Sequence, residues 1–251
     1  MAQRKLKFDI YRLDPNDPDA IPHMEQYEIE EEPMMNLFTV LMRIREEQDP
    51  SLMFDFSCRA AVCGSCGMLI NGVPQLACRT LTKELPEKTT LYPLPVFKHV
   101  GDLCVDTGTW FREMYDDVES WIHTDREFDA NTIEERLPND TMLKIYELER
   151  CIECGCCVGA CATANVKDEF VGAIAVNRLA RFMIDPRDKR DNREYYEVIG
   201  TDYGIFGCIG LLGCHDMCPK DIPLQETLAF VRRKMAWTGL TSLASIFSPR
   251  K

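Results

Sequence analysis

Most of the thirteen cysteines stand close enough in sequence to act in groups, and a thiolate is a ligand for iron and zinc alike. Cys58, Cys63 and Cys66 lie in SCRAAVCGSCG with four and then two residues between them, and Cys78 follows after eleven more in LACRT. The first three carry the plant-type spacing of a 2Fe-2S site, and Cys78 completes four thiolates. A loop wrapped around such a cluster turns backbone N–H groups toward its sulfurs. Gly64 and Gly67 would supply the close approach and the unusual φ that this needs. A zinc ribbon asks instead for two pairs with two residues inside each, which the four-residue gap fits poorly. Arg59 and Arg79 each follow a ligand and read as solvated loop residues, with no role assigned.

A second group, CIECGCCVGAC, holds Cys151, Cys154, Cys157 and Cys161 at intervals of two, two and three residues, the bacterial ferredoxin run without its trailing proline. Downstream, GCIGLLGCHDMCPK repeats the frame as Cys208, Leu211, Cys214 and Cys218 followed by Pro219, with leucine in the second position. In two-cluster ferredoxins the fourth cysteine of each run ligates the other cluster. That swap gives Cys151, Cys154, Cys157 and Cys218 to a 4Fe-4S cluster. It leaves Cys161, Cys208 and Cys214 for a 3Fe-4S cluster, with the hydrocarbon of Leu211 filling the empty corner. The alternative there is a 4Fe-4S cluster whose fourth iron takes water or a distant side chain.

Cys104 and Cys156 remain, and both read as buried small hydrophobes. Cys156 adjoins Cys157 and could replace it, but only Cys157 keeps the two-residue interval. His215 reads as a loop residue near the third cluster, not a ligand.

Elements must carry these loops. KLKFDIYRL alternates apolar and polar residues as a strand does, and Gln26 to Glu30 offers a second strand for a hairpin. Asn36 can cap a helix to about Gln48 with Leu37, Val40, Leu41 and Ile44 on one face. MLINGVPQ holds an Asn71-Gly72 turn, and Thr89 to Leu94 supplies another strand, so this half is a small α+β sheet domain. Beyond about Cys104 the pattern turns helical, in Trp110 to Ile122, Thr141 to Glu149, Phe170 to Ile184 and Leu224 to Met235. The boundary is placed between residues 1–105 and 106–251. Asp125 to Asp140 reads as a solvated connection, and Trp237 to Phe247 as a tail apolar enough to dock on a partner.

The composition, 45% hydrophobic and 28% charged, is that of a soluble globular protein. A net charge of -12 and a pI near 4.9 argue against nucleic acid and against direct adhesion to anionic lipid. No run of eighteen apolar residues and no apolar leader occur, so the expected protein is cytoplasmic, and any membrane link runs through another protein.

The order of the three groups, with FSCRAAVCGSCGMLING, DLCVDTGTWF, CIECGCCVGAC, NRLARFMIDPRD and GCHDMCPKDIPL, resembles the iron-sulfur subunit of the succinate dehydrogenase and fumarate reductase family over nearly the whole chain. The resemblance implies an N-terminal β-grasp, plant-type ferredoxin-like domain and a helical ferredoxin-type C-terminal domain. It implies electron transfer between a flavoprotein subunit with covalent FAD and a transmembrane cytochrome b subunit, on the cytoplasmic side of the bacterial inner membrane. Many family members have proline after the position of Cys161, and some add tryptophan shortly beyond. Here the chain reads Cys161-Ala162-Thr163-Ala164-Asn165, so no quinone pocket is carried over. The wording is most similar to fumarate reductases with a dihaem cytochrome b anchor and menaquinol as donor. Rival readings are a succinate:quinone oxidoreductase, an iron-sulfur subunit of another flavin-linked dehydrogenase, and an iron-sulfur structural or sensor protein.

Overall fold

The computed structural model describes residues 4–127, 129–131 and 135–247, with side chains to residue 242. Two compact units emerge: residues up to 110 with 152–160 and 216–219, and residues 111–151, 161–215 and 220 onward. Part of the 125–140 connection, and the side chains of the apolar tail from Leu243 on, lie outside the described residues.

In the first unit, β1 (Lys5–Arg12) and β2 (His23–Glu30) form the expected hairpin, with Lys5 opposite Glu30 and Arg12 opposite His23. Leu6, Phe8 and Ile10 are fully buried between exposed or half-buried neighbours, and each such burial contributes roughly 1.5–3 kcal/mol. The β3 (Gly67–Ile70) and β4 (Val73–Leu76) hairpin turns at Asn71 and Gly72, with φ of 52° and 78°, as a type I′ turn requires. Strand β5 (Lys88–Tyr92) pairs parallel to β1 and antiparallel to β3, giving the order β2-β1-β5-β3-β4. Helix α1 (Leu37–Glu47) buries Leu37, Phe38, Val40, Leu41 and Ile44 in the same core. A mixed sheet covered by one helix is the ferredoxin-like β-grasp arrangement. A short hairpin, β6 (Lys98–Gly101) and β7 (Cys104–Asp106), follows.

Asp102 fixes where the cysteine loop begins, its two carboxylate oxygens accepting the N–H of Leu13 and of Met53 at 2.8 Å each. Arg12 lies against this carboxylate and against Asp49, so the buried charges are paired.

Helix α2 (Thr107–Asp117) starts earlier than its apolar pattern suggests, because Asp106 accepts the Thr109 N–H at 3.0 Å as a cap. It also stops earlier: two aspartates at its C-terminus oppose the helix dipole, and Glu119 takes a left-handed φ of 47°.

The second unit is helical. It contains α3 (Asn139–Glu149), α5 (Gly172–Ile184), α6 (Asn192–Ile199) and α8 (Leu224–Phe247), with α5 packed on α3 and α8, and α6 on α8. Two single-turn helices carry cysteines, α4 (Cys156–Gly159) in the first unit and α7 (Gly213–Asp216), whose Cys214 lies in the second. Helix α8 continues twelve residues past Met235, where its apolar period is less regular.

Candidate functional site

The first cysteine loop directs its amides at sulfur. Cys58 Sγ accepts the N–H groups of Ala60 at 3.3 Å and of Val62 and Cys63 at 3.2 Å, and Cys78 Sγ accepts that of Ala61 at 3.3 Å. Cys63 Sγ accepts the Cys58 N–H and the Ser65 hydroxyl, both at 3.4 Å. To aim these donors the chain holds Arg59 and Ala61 at φ of 56° and 55°, a strained choice for residues with a Cβ. Donors facing sulfur favour the thiolate. Burial pushes the Cys63 thiol up, but the amides of Cys58 and Ser65 and the Ser65 hydroxyl outweigh it, bringing the thiol down to about 6. Burial dominates at Cys66, whose thiol is pushed up to about 12.

Both loop glycines are needed, for different reasons. Gly64 has φ of +80°, and a Cβ there would meet the Ile152 carbonyl oxygen at 2.6 Å and Cys154 Cα at 2.8 Å. Gly67 needs no unusual φ, but its Cβ would meet the Cys154 carbonyl oxygen at 2.8 Å. The first loop and the start of the ferredoxin run therefore touch backbone to backbone. A cavity of about 220 Å³ beside this contact is lined by Asp55, Cys63, Gly64, Gly67, Glu153 and Cys154.

Cys104 and Cys156 are buried, as expected of cysteines outside the ligand pattern. Burial, then the neighbouring Asp55 carboxylate, pushes the Cys104 thiol up to about 12. Cys156 opens α4 and is wholly buried; its thiol donates to Cys154, which with burial holds Cys156 protonated and lowers Cys154. Cys157 is partly exposed.

Residues 216–219, with Cys218, belong to the same compact unit as 152–160, with Cys154 and Cys157, whereas Cys151 is grouped with the other unit. Cys161 belongs with Cys208 and Cys214 in the other unit. Burial, then the charges of Cys161 and Cys208, pushes the Cys214 thiol up to about 11. Two expectations change here. Leu211 is 70% exposed, so its side chain is not packed into a corner between the thiols, and what it contributes is the lack of a donor atom. His215 lies on α7 and not on a loop, because its N–H bonds back to the Leu212 carbonyl at 2.8 Å.

Arginines hold the ligand segments, which the sequence reading missed. Arg79, given no role above, donates to the Pro219 carbonyl next to Cys218. Arg150, preceding Cys151, donates to the Lys220 carbonyl, and Arg232 on α8 to the Cys208 carbonyl. No local signal marks them, since Arg79 and Pro219 stand 140 positions apart. A cavity of about 460 Å³ is lined by Cys208, Leu212, Leu228, Arg232 and Ala236.

All of these donors are soft thiols, several with amides aimed at them, which suits iron-sulfur clusters. Among the described residues no three histidine, cysteine or carboxylate side chains meet at a single ion-sized point. The fit therefore rests on donor type, spacing and the amides facing sulfur.

Residues 7–112 match the family model of a 2Fe-2S iron-sulfur cluster binding domain, and residues 147–222 that of a 4Fe-4S dicluster domain. The fumarate reductase iron-sulfur subunit of Wolinella succinogenes is 54% identical over 233 residues, covering 92% of this chain and 98% of its own. The chain belongs to the iron-sulfur subunit family of fumarate reductases and succinate dehydrogenases. The succinate dehydrogenase iron-sulfur subunit of Bacillus subtilis is 32% identical over 252 residues, covering 98% and 97% of the two chains. A chain of the Mycobacterium smegmatis Sdh1 complex in the apo form shares the fold, with a TM-score of 0.81 at 24% identity over 94% of this chain and 98% of that one. As a fumarate reductase or succinate dehydrogenase iron-sulfur subunit, it is an electron-transfer component of an oxidoreductase, with 2Fe-2S and 4Fe-4S binding domains. Among the described residues no helix is long and apolar enough to cross a membrane.

Proposed function

We propose that this subunit passes single electrons within a membrane-associated quinol:fumarate reductase, between an FAD-carrying flavoprotein and a transmembrane, dihaem cytochrome b subunit that takes electrons from menaquinol. The domains are residues 1–105 and 106–251. Cys58, Cys63, Cys66 and Cys78 hold a 2Fe-2S cluster, and Cys151, Cys154, Cys157 and Cys218 a 4Fe-4S cluster. Cys161, Cys208 and Cys214 hold a 3Fe-4S cluster. The complex sits on the cytoplasmic side of the bacterial inner membrane, and neither nucleic acid nor dicarboxylate chemistry involves this chain.

The observation that carries the relay is the backbone contact of Gly64 and Gly67 with residues 152–154, which sets the first cysteine loop directly against the ferredoxin run. Bound there, the clusters supply one-electron carriers at potentials set by cluster type, hydrogen bonds to sulfur and solvent exposure. The protein contributes the amides around Cys58 and Cys78, the buried surroundings of Cys66 and Cys214, and the exchange of Cys161 and Cys218. Exposed Phe56 and Val62 on the first loop suit contact with the flavoprotein. Exposed Ile209, Leu211, Trp237 and Leu240, in the second unit, suit the membrane subunit.

The direction rests on the fumarate reductase name of the relative at 54% identity, while a succinate dehydrogenase subunit is also similar, at 32%, and a relay conducts both ways. Purification from membranes with native partners tests the reading. The expected material carries covalent flavin, haem b and about nine iron atoms per copy of this chain, and reduces fumarate with menaquinol faster than it oxidises succinate. Predominant succinate oxidation favours the second direction, and lack of flavin and of both activities overturns the reading.

A further inference from the structure

Two side chains from separate elements reach the segment that leads into Cys208. Thr163, buried in the stretch after Cys161, donates its hydroxyl to the Gly207 carbonyl at 3.3 Å. Arg232, half-buried on α8, donates Nη2 to the Ile205 carbonyl at 3.3 Å and to the Cys208 carbonyl. The carbonyls of residues 205, 207 and 208 are therefore held from two directions, by a residue two places beyond Cys161 and by a helix. Thr163 lies in the Ala162-Thr163 stretch whose departure from the family pattern had no function assigned to it.

Arg232 is placed to do more than cap the single 3₁₀ turn at Ile205–Gly207, whose last carbonyls need donors in any case. Among the described residues no carboxylate lies within ion-pair distance of it. Its guanidinium is bonded to the main-chain carbonyl of Cys208, one of the three thiol residues Cys161, Cys208 and Cys214. One electron entering a cluster on these thiols makes it one unit more negative, and a fixed cation nearby favours that reduced state. We propose that Arg232, with Thr163, positions Cys208 and that the Arg232 charge raises the reduction potential of the three-thiol site. The assignment rests on the 3Fe-4S reading above. A cap alone predicts a different outcome, since any donor at position 232 would then leave the potential unchanged.

The test is an electron paramagnetic resonance redox titration of the purified complex carrying Arg232→Gln, Arg232→Lys or Thr163→Val, with Arg193→Gln as a control for surface charge. The expected result for Arg232→Gln is about a tenfold rise in the oxidised-to-reduced ratio of the 3Fe-4S cluster at fixed potential, equivalent to about 59 mV for one electron. Arg232→Lys should recover most of that shift, Thr163→Val should broaden the 3Fe-4S signal, and the 2Fe-2S potential should hold in all four. Selective loss of the 3Fe-4S signal in Arg232→Gln, with retention in Arg232→Lys, also supports the assignment. An unchanged 3Fe-4S potential in Arg232→Gln, or an equal shift in Arg193→Gln, overturns it while leaving the relay intact. A parent complex without any 3Fe-4S signal overturns the cluster reading and this assignment together.

Discussion

At Leu211 the second ferredoxin run presents hydrocarbon where the first presents Cys154, and in the proposed ligation that single difference separates a three-thiol site from a four-thiol one. Because Leu211 is exposed and not packed in a core, a cysteine there meets little steric resistance. Leu211→Cys is expected to add about one iron atom per chain and abolish the 3Fe-4S signal of the oxidised protein; iron analysis with paramagnetic resonance checks both. Cysteine types and spacings were legible because each ligand run is local in sequence. The positions of Arg79, Arg150 and Arg232 were not, since each answers a carbonyl supplied by a distant stretch. The Asp188–Arg190 pair was equally hidden: its side chains are 1% and 2% exposed, and Asp188 also accepts the His123 N–H. Burial raises the Asp188 carboxyl, but Arg190 and the backbone donors outweigh it and hold the pKa below the ordinary carboxylate value. A carboxyl whose pKa is lower folded than unfolded stabilises the fold fully above its unfolded pKa of about 3.9, and this is lost as pH falls from there through the native value. Asp188→Asn leaves Arg190 buried without its counter-charge, so a loss of about 3–5 kcal/mol at pH 7 is expected. The variant's stability should also fall less steeply below pH 4 than the parent's, as urea titrations at several pH values would reveal.

Among the elements, α1 shows how a cap serves the site as well as the helix. Asn36 Oδ1 accepts the Thr39 N–H at 2.9 Å, while its Nδ2 donates to the Cys78 carbonyl at 3.1 Å, so one side chain both starts α1 and holds a thiol residue. Asn36→Ala removes both functions and should cost about 1 kcal/mol through the cap alone. Asn36→Asp keeps the cap but turns an acceptor toward the Cys78 carbonyl. Both variants should therefore alter the 2Fe-2S signal, while only Asn36→Ala should lower the denaturation midpoint substantially; equal midpoints would separate the cap from stability. The periods of β1 and α1 were readable because one face of each is buried and the other is not, while α5 was readable from its apolar content, since it is buried on nearly every side. Helix α6 went unread since only Tyr195 and Ile199 are buried along it, although its Asp191 and Glu194 capping box is a local signal that could have found it. The β6–β7 hairpin is too short and irregular, with a register shift at His99 and Gly101, for alternation to show.

For the whole molecule, the proposed exchange of Cys161 and Cys218 makes a reciprocal prediction. Cys218→Ser should remove the 4Fe-4S signal and lower thermal stability while sparing the 3Fe-4S signal, and Cys161→Ser should do the reverse; variable-temperature paramagnetic resonance on the two purified variants distinguishes this from unexchanged runs, which would give the opposite pattern. The two compact units each collect pieces from separate parts of the chain, so a single cut near residue 105 describes the change in sequence character and not the full grouping of contacts. The amino-acid sequence by itself determined the 2Fe-2S and 4Fe-4S domain types, the order of the cysteine groups and the periodic elements, because thiol spacing and burial pattern are properties of neighbouring residues. Tertiary structure alone decided that Gly64 lies against Cys154, that Asp102 sets where the first loop begins, and that arginines hold the ligand segments. Those contacts join residues tens of positions apart, and only a folded backbone brings their donors, acceptors and missing Cβ atoms within reach of one another.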